Sequence, residues 1–511
     1  MRQCDSTTRQ SVRDIASNGD IFVTLTGFAP AAKSVVCLTK ALLILLSNVS
    51  PDPSGNLGVL NYLPVVFPFM NRLKGLDLLA LGFMTFALFL GAGNIIFPPS
   101  AGLAAGENLL PAALGFLLTG VGLPLLTVVA LARVGGGMDT LTLPLGKVAG
   151  AILAVAVYLA IGPLFATPRT AVASFEIGIA PFTGNNPLAL ALYTVCYFGI
   201  VLFLSLNPGR LVDRVGKLIT PVLLTGLLVL GFAGVLSPAG DIAPVSEEYR
   251  SAPMVQGFLQ GYLTMDALGA LVFGIVIATA IRDRGVTDSS LVTRYSIIAG
   301  IIAAVGLSLV YLSLFYLGAT SVEIASGAAN GGQILAKYVG HTFGEAGSLL
   351  LAIVIVLACI TTAVGLLSAC GEFFSKLFPV SYRAVVIGFG LFSMAVANQG
   401  LTQLISVSVP VLVGLYPLAI VLVALSLFNR LWLSQSRIFV PVMAVTLVFG
   451  VADGIGATPW KQVVPEVFGK LPFADMSLGW LTPVLVTLIL AVIVDSMLGT
   501  PDKQGQLEAA K

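Results

Sequence analysis

The stretch Leu90-Gly91-Ala92-Gly93-Asn94-Ile95-Ile96-Phe97-Pro98-Pro99 interrupts the first long apolar run of the chain instead of lying in a loop. Glycine, asparagine and proline are poor helix formers, so inside a membrane segment they leave backbone N–H and C=O groups without helical partners. Hydrocarbon cannot satisfy those groups, and a bilayer tolerates such a break only where it is buried in protein or lines a wet cavity. The break therefore points to a place where something polar binds. The alternative is a Gly/Pro kink used for close helix packing.

That the run lies in a membrane follows from composition. Of 511 residues 57% are hydrophobic and 10% charged, and the mean hydropathy of +0.99 exceeds what a soluble domain hides in one core. A net charge of +2 gives no pointer to nucleic acid or an acidic partner. With roughly 20 residues per span as the template, the sequence predicts an all-α polytopic membrane protein of about twelve transmembrane helices. The apolar runs are 77 to 98, 108 to 132, 147 to 174, 187 to 206, 216 to 236 and 256 to 281. They continue at 294 to 319, 347 to 374, 382 to 397, 401 to 427, 437 to 455 and 478 to 498.

Residues 1–69 read differently, polar at first and then weakly apolar with Lys33 and Lys40 inside the run. Met70-Asn71-Arg72-Leu73-Lys74 is a short basic lead before the first strong segment, so Met70 is the expected initiator and 1–69 an extension that is disordered or not translated. Residues 70–499 form the expected transmembrane domain and 500–511 a cytoplasmic tail. Alternate connections carry the basic residues: Arg133 and Lys147; Arg210, Arg214 and Lys217; Arg282, Arg284 and Arg294; Lys376 and Arg383; Arg430 and Arg437. The positive-inside rule puts these loops and both termini in the cytoplasm.

A second interruption, Gly261-Tyr262-Leu263-Thr264-Met265-Asp266-Ala267-Leu268-Gly269-Ala270, falls in the sixth run, five spans after the first. An odd offset means the second unit enters from the opposite side. Two broken helices at matching positions of oppositely oriented units indicate an inverted-repeat transporter with its site at the midplane, an architecture the general rule already describes. The predicted units are 77–236, 256–427 and two added helices at 437–498.

A half-helix that starts inside the membrane presents N–H groups and partial positive charge; one that ends there presents carbonyls. The bare backbone of Gly91, Ala92 and Gly93 suits a carboxylate, with Asn94 holding the break open, ligating, or capping the next half-helix. In the eighth run Ala358-Cys359-Ile360-Thr361-Thr362, with Ser368 beyond, offers hydroxyls beside carbonyls, a neutral oxygen cage that suits sodium; bonding to their own helix is the plainer reading. Asp266, deep in a run, reads as ion ligand, proton carrier or structural acceptor. Arg169 is expected nearer the outer surface, snorkelling or serving an outer gate, and the glycine-rich connection Ser326 to Leu335 reads as a re-entrant or lid-like hairpin against a solvated loop. Five cysteines lack paired or metal-ligand spacing, and the single histidine, His341, sits in a polar connection, so no Cys/His metal site, disulfide or His-paired catalysis is expected. A membrane enzyme is disfavoured for want of a nucleophile with a base, and a channel for want of a repeated pore-lining ring.

The segment Asp77 to Pro99, the stretch Gly261 to Leu268 and Asn330-Gly331-Gly332-Gln333-Ile334-Leu335 closely resemble the bacterial branched-chain amino acid:cation symporters, the BrnQ family, over about Arg72 to Asp495. The resemblance implies sodium-coupled uptake of leucine, isoleucine and valine across a bacterial inner, plasma membrane, through a five-plus-five inverted-repeat core of the LeuT type with two added helices. It implies no enzyme activity and no cofactor beyond Na+ as coupling ion. By the same likeness the sodium ligands are the carbonyls of Ala87, Leu90 and Ala358 and the hydroxyls of Thr361 and Thr362. The substrate carboxylate lies on Gly91, Ala92 and Gly93; its ammonium faces carbonyls between Gly261 and Asp266, with Tyr262, Met265 and Phe273 as side-chain contacts. The alternative is a proton-coupled transporter of apolar amino acids with Asp266 as the titrating group.

Overall fold

The computed structural model describes residues 73–206 and 220–499. The division of the chain falls between Phe69 and Met70, and the second part is described by itself. The expectations for residues 1–69, for Arg210, Arg214 and Lys217 and for the tail 500–511 fall outside the described residues.

The principal elements are helices. In chain order they are α1 (Gly75–Phe89), α2 (Ala92–Ala105), α3 (Leu109–Leu117), α4 (Leu123–Val134), α5 (Lys147–Leu159), α6 (Ala166–Ser174), α7 (Pro187–Ser205) and α8 (Thr220–Leu236). They continue as α9 (Pro253–Tyr262), α10 (Asp266–Arg282), α11 (Ser289–Ala319), α12 (Gly331–Leu377), α13 (Tyr382–Ala397), α14 (Leu401–Leu427), α15 (Gln435–Gly456) and α16 (Leu481–Leu498). Each predicted apolar run coincides with a helix or a broken succession of helices. Among the described residues eight helical segments are long and apolar enough to cross a membrane, or nine when the bent pair α9–α10 counts as one. Outward-facing Leu110, Val148, Leu188, Leu192 and Phe203 are each more than 60% exposed, an apolar surface that hydrocarbon, not water, would wet.

Three interruptions shape the interior. α1 ends at Phe89 and α2 begins at Ala92, with Gly91 extended between them at φ −113°, ψ −169°. α9 and α10 bend by 42° across Leu263, Thr264 and Met265, where Met265 adopts the left-handed conformation at φ +67°. The third run, read as continuous from sequence, is also broken: Gly162 is non-helical at ψ −109° beside Pro163, and α6 restarts at Ala166.

Packing sorts the helices into two groups. α11 runs along both α1 and α2, and α9 lies on α3. Gly257 faces the Ala112 carbonyl and Gly102 the Phe315 carbonyl so closely that no Cβ would fit, so these pairs touch backbone to backbone. α12 packs with α6, α7 and α13 and also along α2. The groups meet where α12 lies on α2, where α12 and α10 cross α1 and where α6 meets α2.

Of the segment expected as a lid-like hairpin, Ser326 to Asn330 forms turns and bends and Gly331 to Leu335 is the first part of α12. Asn330 caps α12 by accepting from the Gln333 N–H at 3.1 Å, and α12 turns sharply at Gly344 (φ +63°), so His341 lies exposed within a helix and not in a connection. Between α10 and α11 the exposed Asp288 accepts from Ser290, and the hydroxyl and N–H of that residue hold its carboxyl below the usual carboxylate range.

Candidate functional site

The two breaks face each other. At the first, the Asn94 side chain reaches back and accepts the Gly91 N–H at 3.0 Å, holding the extended residue open. The prolines expected to belong to the break lie inside α2. There their fixed φ is compatible with helix, and the N–H groups they lack leave the carbonyls of Asn94 and Ile95 without i+4 donors.

Asp266, the first residue of α10 and 4% exposed, joins that break to the second. Its Oδ2 accepts from Asn94 Nδ2 at 2.7 Å and from the Tyr311 hydroxyl at 2.6 Å, while Asn94 Nδ2 also contacts the Tyr311 oxygen. Of the three roles read for Asp266, the geometry displays the structural acceptor, with donors supplied by side chains. Tyr311 sits within α11 and gave no signal in the sequence beyond being a tyrosine in an apolar run.

Arg169 is not near a surface. It is 3% exposed, and the restart of α6 after Gly162 and Pro163 carries it to the second break. Its Nη1 donates to the Leu263 carbonyl at 2.8 Å and its Nη2 to the Thr264 carbonyl at 3.1 Å, covering the carbonyls exposed where α9 ends. The guanidinium lies 5.4 Å from the Phe97 ring centre and against Gly93, where a Cβ would stand 2.6 Å from Nη2 and 2.9 Å from the Thr264 carbonyl. Its Nε is buried without a hydrogen-bond partner among the described residues. Gly162-Pro163 followed by Pro168-Arg169 was the signal available for this placement.

Thr361 and Thr362 on α12 meet the end of α1. The Thr361 hydroxyl lies 3.3 Å from the Ala87 carbonyl and 2.8 Å from that of Ala358; the Thr362 hydroxyl lies 3.3 Å from the Leu88 carbonyl and 3.1 Å from that of Leu90. Thr361 thus meets the carbonyls of Ala87 and Ala358, and Thr362 that of Leu90, with Leu88 added. Neutral carbonyl and hydroxyl oxygens are hard donors of the kind that hold alkali and alkaline-earth ions. Ser368 lies further along α12, outside this cluster.

One cavity of about 30 Å3 connects these features, lined by Gly91, Ala92, Gly93, Asn94, Arg169, Thr264, Met265, Asp266, Phe273 and Thr362. That volume accommodates ordered water, so an amino acid requires the walls to move. Phe273, edge-on to Phe89 at 5.8 Å, and Met265 give it an apolar side. Two predicted contacts are elsewhere. Tyr262 stacks on Tyr416 at 4.3 Å and lines a separate cavity with Leu259 and Trp480, and Gly261 is pressed against Thr119. Both belong to the helical half α9, whose faces are taken by α3 and α14.

Comparison with known proteins accords with this geometry. A family described as "Branched-chain amino acid transport protein" matches residues 74–498. The chain is 73% identical over 432 residues to a Pseudomonas aeruginosa protein named branched-chain amino acid transport system 2 carrier protein, covering 84% of this chain and 99% of that one. It is 53% identical over 429 residues to the Escherichia coli branched-chain amino acid permease BrnQ, covering 84% and 98%. Among solved structures, a manganese transporter of Eremococcus coleocola aligns over 83% of this chain and 96% of its own at TM-score 0.51 and 14% identity. A nucleobase-cation-symport-1 family transporter in a closed conformation aligns over 81% and 91% at TM-score 0.51 and 14% identity. These likenesses show the fold, a transporter architecture of the LeuT type.

Proposed function

The chain belongs to the family of branched-chain amino acid transport proteins, and from that premise we propose that it is a sodium-coupled symporter importing leucine, isoleucine and valine across the bacterial inner membrane. It works by alternating access, with both termini in the cytoplasm and the helices around the two breaks rocking against the group built on α12. Twelve spans arranged as two inverted units plus two added helices complete this reading.

The observation that carries the coupling ion is the meeting of the Thr361 and Thr362 hydroxyls with the carbonyls of Ala87, Leu88, Leu90 and Ala358. The donors come from helices of both groups, so an ion bound there holds α1 against α12 and its departure loosens them. A ligand carboxylate fits the N–H groups at Gly91, Ala92 and Gly93, and an ammonium fits the carbonyls of the second break. Met265 and Phe273 form an apolar wall, and such a wall separates side chains that differ by one methylene only weakly, so the three substrates overlap.

Proton coupling is the second reading, favoured by the burial of Asp266 between the breaks. Uptake of labelled isoleucine into proteoliposomes, with an inward sodium gradient, a potassium replacement and a proton gradient in parallel, separates the two. Accumulation under sodium alone supports the first; accumulation under the proton gradient alone replaces it with the second.

A further inference from the structure

Within the cavity lining, Arg169 and Asp266 are the formally charged side chains. Asp266 is engaged by Asn94 and Tyr311. The hydrogen bonds of Arg169 go to two neutral carbonyl oxygens, and its Nε has no partner among the described residues although Arg169 is 3% exposed. A buried guanidinium with an unused donor is expensive to maintain in a membrane interior, where charged residues mark ligand pathways. A planar fork with free donors is suited to a carboxylate.

We propose that Arg169 supplies the counter-charge for the substrate carboxylate and so restricts this site to molecules that carry one. The proposal rests on the amino acid reading of the cavity and extends it to the third run. The carboxylate lies between the guanidinium and the N–H groups of the first break, both of which line the one cavity and approach one another beside Gly93. The ammonium, one carbon away, takes the remaining lone pairs of the Leu263 and Thr264 carbonyls, each of which has two. Arg169 thus spans both poles of the zwitterion: one edge donates to carbonyls that it shares with the ammonium, the other to the carboxylate. Gly93 matters because a Cβ there would crowd Nη2 at 2.6 Å and the Thr264 carbonyl at 2.9 Å.

The test uses labelled leucine uptake by the reconstituted full chain, with leucinamide and isoamylamine as competitors that keep the amine but carry no carboxylate. In the wild type both compete far more weakly than unlabelled leucine. Arg169→Gln raises the leucine KM by about 10- to 100-fold, the equivalent of a charge-assisted hydrogen bond, and leaves leucinamide inhibition nearly unchanged, so the discrimination collapses. Arg169→Lys recovers part of the leucine affinity. A purely structural role would weaken leucine and leucinamide together, and an unchanged ratio in Arg169→Gln overturns the proposal. Should that variant not fold, the wild type decides: leucinamide competing as well as leucine overturns it. Folded wild type that accumulates no branched-chain amino acid under any gradient overturns the function, and this proposal with it, whereas uptake with unaltered discrimination overturns this proposal alone.

Discussion

Asn94, in the first turn after the first break, and Asp266, which opens the helix after the second, are joined side chain to side chain, Nδ2 to Oδ2 at 2.7 Å, with the Tyr311 hydroxyl 2.6 Å from the same oxygen. The bond ties the two broken helices to each other and to α11. Asp266→Ala leaves the Tyr311 hydroxyl without its acceptor and Asn94 Nδ2 with the Tyr311 oxygen alone. At about 1–3 kcal/mol for an orphaned buried donor, the protein loses stability of that order and transport with it. Tyr311→Phe removes one donor and is milder. Thermal melting of the purified variants checks the order; an Asp266→Ala protein that melts with the wild type refutes the role. Asp266→Asn that retains sodium-driven uptake rules out Asp266 as a proton carrier.

The hydroxyls of Thr361 and Thr362 reach carbonyls across a helix interface. Replacing either with alanine deletes one oxygen from the proposed ion cage and raises the sodium concentration for half-maximal uptake by about tenfold, or 1.4 kcal/mol. The double variant loses sodium stimulation. Thr362→Ser keeps the oxygen and stays close to the wild type. Sodium titrations of uptake at saturating leucine read these shifts, and an unchanged half-saturation in the double variant places the ion elsewhere.

Much of this site is written locally. Gly91, Gly93 and Asn94 inside an apolar run, and Thr264 to Asp266 inside another, announce broken helices because hydrocarbon cannot solvate backbone. Two adjacent threonines in α12 announce hydroxyls. What was not legible depends on tertiary direction. Arg169 looked peripheral because the third run reads as one span, and only the break at Gly162 and Pro163 brings it to the second helix break. Tyr262 and Gly261 are correctly located along the chain, but the face they use is decided by α14 and α3. The Tyr311 hydroxyl acquires its meaning only from Asp266, 45 residues away.

Gly93 stands where the two breaks touch. A Cβ there would lie 2.6 Å from the Arg169 guanidinium and 2.9 Å from the Thr264 carbonyl, and the latter is backbone that cannot turn aside. Gly93→Ala therefore separates the breaks, destabilises the protein by about 1–3 kcal/mol and abolishes uptake. Gly388, within α13, has no atom within 4 Å of its Cβ position, so Gly388→Ala is neutral or slightly stabilising and serves as the control. Melting temperature and uptake measured on the same preparations make the comparison, and equal behaviour of the two variants contradicts the contact.

Phe273 closes the apolar side of the cavity, packed edge-on against Phe89 and 3.2 Å from the Cβ position of Gly365. Its ring is held from two sides, so in the proposed pocket it is a fixed wall against which an aliphatic side chain would be measured. Phe273→Ala removes most of that wall. The lost burial lowers stability by about 3–5 kcal/mol, and the opened volume admits a larger side chain. Phenylalanine, a poor competitor of leucine uptake in the wild type, becomes an effective one in Phe273→Ala, while valine, which already underfills the space, loses affinity. Discrimination between leucine and isoleucine moves little, because a flat apolar wall distinguishes branch position by no more than about 1 kcal/mol. Competition of labelled leucine uptake by phenylalanine, isoleucine and valine measures all three. An Ala variant that folds, transports leucine and still excludes phenylalanine removes Phe273 from the specificity pocket.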